Sequence, residues 1–155
     1  MTLQIGDRTP DFSLFDQTGK SRTNKECRGK SLVLFFYPKD DTPGCTAEAC
    51  GFRDKYELFK LLGALVWGVS NDNEASHLKF IDKNKLPFPL LCDLDNSLRK
   101  QFGVPKAIGL LDGRVTYIID SKGIIRHIFN DLLNAPKHVT EALTVLEKLK
   151  KDKYT

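Results

Sequence analysis

Two cysteines five residues apart form the most reactive feature of the sequence. The stretch from Tyr37 to Cys50 is YPKDDTPGCTAEAC, so that Thr-Pro-Gly directly precedes the first of them, Cys45. A cysteine thiolate acts as a nucleophile and takes part in disulfide exchange. This spacing therefore indicates redox chemistry, and the alternative is that both cysteines are incidental small residues.

The residues before Cys45 predict that it lies in the first turn of a helix. Thr42 is a favourable N-cap residue and Pro43 suits the first helical position, which makes Cys45 the third helical residue. Free backbone N–H groups and the positive end of the helix dipole are found there. Because both favour an anion, this position favours the reactive thiolate. A plain N-cap is the alternative role for Thr42.

The helix end is too weak to ionise a thiol on its own. An unperturbed thiol has a pKa of ~8.5, and lowering this value to about 6 needs roughly 3.4 kcal/mol in favour of the anion. A helix terminus supplies about 0.3–1 kcal/mol and at most ~2 kcal/mol. A cation is therefore expected beside Cys45, either Lys39 or an arginine that the fold brings there. Arg53 is too far away, about 12 Å further along the helix axis.

Helical periodicity separates the two cysteines. At about 100° per residue, Cys45 belongs to an apolar stripe that is predicted to face the core. Cys50 lies about 140° away around the helix, nearer to Asp54 and Glu57. The pattern therefore predicts one thiol against the protein body and a second thiol toward solvent. The stripe continues through Ala49, Phe52, Tyr56 and Phe59.

Strands alternate with helices along the chain. Two apolar runs, 31–37 and 64–70, are predicted to be strands buried on both faces, and a helix from Pro43 to Leu62 is predicted between them. This order predicts an α/β fold with a mixed central sheet flanked by helices, in a single domain spanning residues 1–155. The other predicted elements are a hairpin in 11–23, a helix in 73–84, a strand in 87–93, a helix in 95–103, a hairpin in 114–130 and a helix from Pro136 to Lys150.

Composition excludes several classes of protein. The chain has 155 residues, of which 41% are hydrophobic and 28% charged, as is typical of a soluble globular protein. Its net charge of +4 is concentrated in the C-terminal KLKKDKYT, which is typical of a solvated helix end. The longest apolar run, LLGALVWGV, is too short to span a bilayer. We therefore expect neither a nucleic-acid partner nor a membrane partner.

The N-terminal sequence bears on the cellular compartment, and the compartment bears on the chemistry expected of the cysteines. The N-terminal MTLQIGDRTPDF lacks the features of a signal peptide, so we expect a bacterial cytoplasm, with an organelle of a plant or alga after transit-peptide removal as the alternative. Four cysteines in such a compartment favour redox-active thiols over structural disulfides.

Cys27 and Cys92 are interpreted as buried core residues. His77, His127 and His138 form no ligand pattern, and we expect no metal and no other cofactor.

The segment around Cys45 resembles the active site of the peroxiredoxins. The stretch YPKDDTPGCTAEACGFRD contains the family's Pro-x-x-x-Thr-x-x-Cys motif at Pro38, Thr42 and Cys45. It is most similar to the peroxiredoxin Q or bacterioferritin comigratory protein branch. The resemblance covers roughly residues 5–150 and includes GVSNDNEASHLKF, LPFPLLCD, FGVPK and RVTYIID. It implies a thioredoxin-like fold with an N-terminal β-hairpin extension.

The resemblance also implies a role for each residue of the site. Cys45 would be the peroxidatic cysteine, and Cys50 the resolving cysteine of an atypical two-cysteine peroxidase. Arg114, which begins the segment RVTYIID, would be the family's active-site arginine and would supply the required cation. Thr42 would orient the peroxide and Pro38 would shield the sulfur from water. Without the resemblance, Arg114 is equally well interpreted as a surface strand residue, and Pro38 as the end of a strand.

The function that the resemblance implies is the reduction of hydrogen peroxide and organic hydroperoxides. The Cys45 thiolate would become a sulfenic acid, which would form a disulfide with Cys50, and thioredoxin or a similar dithiol would reduce that disulfide. We expect a monomer. Two other functions stay open: a thiol–disulfide oxidoreductase acting on proteins, against which the absence of Cys-x-x-Cys argues, and a non-enzymatic binding module such as a holdase.

Overall fold

A computed structural model of the chain describes residues 2–107 and 111–154. At its centre lies a five-stranded sheet in the order β5–β4–β3–β6–β7. The first three strands of the sheet in chain order run parallel, and the last two add antiparallel pairs at one side. The predicted mixed sheet is confirmed. Its strands are β3 (Ser31–Phe36), β4 (Ala64–Ser70), β5 (Leu90–Cys92), β6 (Val115–Ile119) and β7 (Ile125–Asn130).

Both faces of the sheet carry apolar side chains, because successive residues of the central strand point into two different cores. Val33 and Phe35 of β3 point into one core, which most of the helices cover. Leu34 and Phe36 point into the second core, which the helix Ser97–Phe102 and the N-terminal segment cover. The helices are α1 (Pro43–Asp54), α2 (Tyr56–Leu61), α3 (Glu74–Asn84), α4 (Ser97–Phe102) and α5 (Ala135–Tyr154). None of these helices is both long enough and apolar enough to cross a membrane.

The N-terminal segment contains the predicted hairpin. β1 (Ser13–Phe15) pairs antiparallel with β2 (Ser21–Thr23), and a 3₁₀ turn over Asn24–Cys27, which was not predicted, follows directly. The hairpin reverses near Gly19, whose φ of 82° is in the left-handed region that favours glycine.

The helix predicted from Pro43 to Leu62 is in fact two helices, so this prediction is wrong at one position. α1 ends at Asp54 and α2 begins at Tyr56, with Lys55 between them at φ −104° and ψ 9°. The apolar stripe continues across the break, and the rings of Phe52 and Phe59 lie 5.6 Å apart. Because periodicity is preserved and position 55 carries an ordinary helix-forming residue, nothing in the sequence indicates the interruption.

Candidate active site

Cys45 occupies the position in α1 that its sequence predicted. Thr42 is the N-cap, with an extended backbone at φ −97° and ψ 154°, and Pro43 is the first helical residue. Cys45 is only 1% exposed. Thr42 differs from the prediction in its side chain, since its hydroxyl donates to the carbonyl oxygen of Lys39 at 2.9 Å and makes no capping hydrogen bond within the described chain. The Thr42 side chain therefore leaves the first-turn N–H groups unoccupied.

Arg114 is the cation beside the thiol. Its Nη2 donates to Cys45 Sγ at 3.4 Å, its Nη1 to Glu48 Oε1 at 2.6 Å, and its Nε to the carbonyl oxygen of Leu132 at 3.0 Å. Burial disfavours its charge, but Glu48 and the Cys45 sulfur outweigh burial and raise the pKa of Arg114. With 3% exposure, Arg114 is not the surface residue that was the alternative interpretation. Lys39, the other candidate cation, is exposed.

Gly44 allows this close approach of Arg114 to the start of α1. A Cβ atom at position 44 would lie 2.9 Å from Arg114 Nη2, which is closer than non-bonded atoms tolerate. The glycine of Thr-Pro-Gly therefore has a steric reason, since it leaves room for the guanidinium next to Cys45.

Glu48 is a part of the site that the sequence analysis missed. Its side chain is fully buried one turn after Cys45, and its Oε2 atom lies 3.4 Å from His138 Nδ1. Burial raises the pKa of Glu48 to about 8, although Arg114 opposes this shift. A signal did exist: residue 48 is three positions after Cys45, on the stripe predicted to face the core, where an acidic residue is unusual.

His138 reaches the site from α5. Its Nε2 lies 2.7 Å from the carbonyl oxygen of Asp131, and its Nδ1 lies 2.8 Å from the Thr116 hydroxyl. Burial lowers the pKa of His138, so the imidazole is neutral at pH 7. The sequence gave no reason to connect His138 with Glu48, because the two residues meet only after α5 packs against α1.

A second buried arginine holds the backbone around the site. Arg99 donates to the carbonyl oxygen of Gly113 at 2.8 Å and to that of Tyr37 at 3.0 Å. Burial lowers the pKa of Arg99, but an arginine remains charged at any physiological pH. Arg99 thereby joins the end of β3 to the residue that precedes Arg114. This role was not predicted.

The loop that carries Pro38 and Thr42 is anchored by a buried polar network. The Tyr37 hydroxyl donates to Asp40 Oδ1 at 2.6 Å, and His77 Nδ1 lies 2.8 Å from Asp40 Oδ2. Burial raises the pKa of Tyr37 well above its usual value, so the hydroxyl keeps its proton. Asp40, Asp72 and His77 bring potential metal-ligand atoms within 4.8 Å of one another. Their hydrogen bonds to each other and to neighbouring side chains and backbone account for this grouping without an ion.

Cys50 lies on a different side of α1 from Cys45, as predicted. It was also predicted to face solvent, but it is half-buried, and its thiol donates to Asn84 Oδ1 at 3.7 Å. All four cysteines lie in the described part of the chain and are free thiols. Cys27 and Cys92 are buried, as expected, and burial raises the pKa of each to about 12. These two thiols therefore stay protonated and unreactive near neutral pH.

Comparisons with known proteins agree with this arrangement. The model of the AhpC/TSA family matches residues 5–128. The chain is 47% identical to a chloroplastic peroxiredoxin Q of Triticum aestivum over 145 residues, which cover 93% of this chain and 67% of that protein.

Two solved structures extend the likeness to the whole fold. Peroxidoxin BcpB of Mycobacterium tuberculosis has a TM-score of 0.87 and 34% identity, covering 95% of this chain and 98% of that chain. The bacterioferritin comigratory protein of Xanthomonas campestris, in a structure that addresses its alkyl peroxide reduction activity, has a TM-score of 0.86 and 30% identity, covering 96% and 98%. These likenesses confirm the predicted thioredoxin-like fold.

Proposed function

The chain belongs to the AhpC/TSA family, on its peroxiredoxin Q branch, and is a thiol-dependent peroxidase; from this premise we propose that Cys45 is the residue that attacks the peroxide. One observation carries the assignment. The Cys45 sulfur lies in the first turn of α1 and accepts a hydrogen bond from the buried Arg114 at 3.4 Å. The helix end and this guanidinium would together favour the thiolate more than the helix end does alone.

The reaction begins at the sulfur. The Cys45 thiolate donates an electron pair to one oxygen of the hydroperoxide, an S–O bond forms, and the O–O bond breaks. The departing hydroxide or alkoxide takes up a proton and leaves as water or alcohol. Arg114 and the free first-turn N–H groups would stabilise the negative charge as it moves from sulfur to oxygen. Thr42 would orient the peroxide, and Pro38 would limit the access of water.

Cys50 would resolve the resulting sulfenic acid. Its thiol attacks the Cys45 sulfur, which yields an intramolecular disulfide and one water molecule. Cα atoms five residues apart in an α-helix are roughly 8.7 Å apart, whereas a disulfide tolerates about 4.4–6.8 Å. Both cysteines lie in α1, so α1 must open before the bond can form.

The protein that reduces the disulfide follows from this chemistry. A dithiol protein such as thioredoxin would reduce the Cys45–Cys50 disulfide by thiol exchange. We propose that the protein acts as a monomer and as one domain, with no cofactor. The Triticum aestivum relative is chloroplastic by name, which supports the plant-organelle alternative beside the expected bacterial cytoplasm.

Separate serine variants of the two cysteines test the division of roles. Cys45→Ser should abolish peroxide consumption. Cys50→Ser should consume one equivalent of peroxide at the normal rate, leave a sulfenic acid that dimedone traps, and lose turnover with thioredoxin. Rapid mixing with substoichiometric peroxide measures the first step. An equal loss of that step in both variants would disprove the assignment, and no consumption by the unaltered protein would favour a binding module.

A further inference from the structure

The last residue of α3 contacts α1 at two points, and one of them is the thiol of Cys50. This thiol donates to Asn84 Oδ1 at 3.7 Å, and Arg53 Nη1 donates to the backbone carbonyl oxygen of Asn84 at 2.7 Å. Asn84 Nδ2 in turn donates to the carbonyl oxygen of Phe80, one turn earlier in α3, which orients the Asn84 side chain. A single residue of α3 therefore contacts both the cysteine that must reach Cys45 and the helical turn that follows it.

Of these two contacts, the one that Arg53 makes is the stronger. The last carbonyl groups of a helix have no partner within the helix and form the negative end of its dipole, so a guanidinium is favoured there. The contact is short, its donor carries a charge, and the Arg53 side chain is only 34% exposed. A thiol is a weak donor by comparison. Arg53 is therefore expected to provide most of the attachment of this part of α1 to α3.

Disulfide formation requires Cys50 to leave Asn84. Cys45 and Cys50 lie about 140° apart around the helix axis, so their sulfur atoms meet only when the helix between them unwinds. Arg53 lies three positions after Cys50, less than one helical turn away. While Arg53 is bound to α3, it keeps this end of α1 in its helical position. The contact therefore opposes the movement that the disulfide requires.

We propose that Arg53 and Asn84 form a clasp that holds the resolving cysteine away from Cys45 and limits the rate of disulfide formation. This inference rests on the proposed roles of the two cysteines. Arg53 and Asn84 are positioning residues, because they act on the reaction through Cys50. The clasp determines how long Cys45 remains a sulfenic acid. During that time a second hydroperoxide can transfer one oxygen atom to the sulfur, which yields a sulfinic acid and one molecule of water or alcohol.

The position of Arg53 allows the second step to be tested separately from the first. Arg53 lies about 12 Å from Cys45 along the helix axis, and the cation that contacts the Cys45 sulfur is Arg114. Arg53→Met removes the clasp and keeps an unbranched side chain of helix-forming type. Asp54→Asn is the matched control, because it removes the ion pair between Asp54 and Arg53 at 2.9 Å and leaves the contact with Asn84 in place.

Rapid quenching after mixing with one equivalent of hydrogen peroxide measures both steps. Loss of peroxide reports the first step, and loss of the Cys50 thiol, counted by alkylation after the quench, reports the second. Arg53→Met should consume peroxide at the unaltered rate and form the disulfide about fivefold faster, because a charge-assisted hydrogen bond no longer opposes the opening. Asp54→Asn should match the unaltered protein in both steps. An unchanged disulfide rate in Arg53→Met, or an equal increase in Asp54→Asn, would overturn the proposal.

Two further readouts separate the clasp from a general structural role. Because disulfide formation competes with the second peroxide, the peroxide concentration that converts half of Cys45 to sulfinic acid should rise in Arg53→Met by the same factor as the disulfide rate. A fall in that concentration would contradict the proposal. Asn84→Ala removes the contact to the thiol and keeps the carbonyl that Arg53 binds, so its disulfide rate should rise less. A larger rise than in Arg53→Met would refute Arg53 as the main restraint.

Amide hydrogen exchange of the reduced proteins tests the clasp without any peroxide. Exchange in residues 43–54 should be faster in Arg53→Met than in the unaltered protein, whereas residues 56–61 should keep their protection. Equal acceleration in both segments would mean that Arg53→Met lowers the stability of the protein as a whole, and unchanged exchange in residues 43–54 would mean that Arg53 does not restrain α1. Either result would refute the clasp. Since this measurement uses no peroxide, its failure is distinct from a failure of the proposed peroxidase activity.

Discussion

The Arg114 guanidinium is held by three contacts, and one of them is the sulfur of Cys45. A helix end alone contributes about 0.3–1 kcal/mol to an anion, which is far below what a reactive thiol at neutral pH requires. The buried guanidinium therefore has to provide most of the stabilisation. Lys39, the candidate cation near Cys45 in sequence, is exposed, and the cation that contacts the sulfur, Arg114, is 69 positions away along the chain.

Replacement of Arg114 measures that contribution. Arg114→Met keeps much of the side-chain volume and removes the charge, so iodoacetamide labelling of Cys45 at neutral pH should slow by about tenfold or more. Arg126→Met is the matched control, because Arg126 is a more exposed arginine on β7 that pairs with Asp120. Labelling rates in the Cys50→Ser background provide the measurement. An unchanged rate in Arg114→Met would restrict Arg114 to peroxide binding or to no role.

At the level of elements, the break at Lys55 divides the helical segment into a part that must move and a part that need not. Cys45 and Cys50 both lie in α1, and the disulfide cannot form while α1 is intact. Opening α1 withdraws Phe52 from the core, where its ring stacks on Phe35 with centroids 4.6 Å apart. α2 begins beyond the break and has its own buried anchor, Phe59.

Amide hydrogen exchange tests this boundary. On oxidation by one equivalent of peroxide, residues 43–54 should lose protection, whereas residues 56–61 should keep it, because Phe59 stays in the core. The Cys50→Ser protein treated in the same way cannot form the disulfide and should keep protection in both segments. Equal protection of α1 before and after oxidation, with the intramolecular disulfide verified by mass spectrometry, would exclude the opening. A loss that extends through α2 would show that Lys55 is not the boundary.

Across the whole molecule, the sequence predicted the features that neighbouring residues determine better than the features that distant contacts determine. The N-cap position of Thr42, the first-turn position of Cys45 and the placement of Cys50 on another side of the helix follow from neighbouring residues and helical periodicity, and the structure contains these features. The predicted exposure of Cys50 to solvent is not complete, since the residue is half-buried. Arg114 was assigned only through the resemblance to a family. Glu48, His138 and Arg99 were missed, because their partners come from elements far apart in sequence and tertiary packing alone brings them together.

The stability of the whole protein should therefore depend on pH through Glu48. Its pKa is about 8 when folded and 4.5 ordinarily, so the folded state binds the extra proton between these values. Stability from this group is complete below about pH 4.5 and is lost as the pH rises through 8. Three other groups with shifted pKa values act outside the upper part of this range. His138 has a lowered pKa and affects stability below about pH 6.5, whereas the protonation of Cys27 and Cys92 differs between the folded and unfolded protein only near and above pH 9.0.

The window between pH 6.5 and 8 consequently isolates Glu48. In a Cys45→Ser, Cys50→Ser background, where neither active thiol contributes, the free energy of unfolding should fall across this window by at most about 1.4 kcal/mol per pH unit. Glu48→Gln should remove the decline, because glutamine does not titrate. Glu57→Gln, at an exposed residue of α2 that pairs with Lys60, should retain it. Urea unfolding at a series of pH values measures all three proteins, and parallel curves for Glu48→Gln and its background would show that Glu48 is already ionised in the folded protein at pH 6.5.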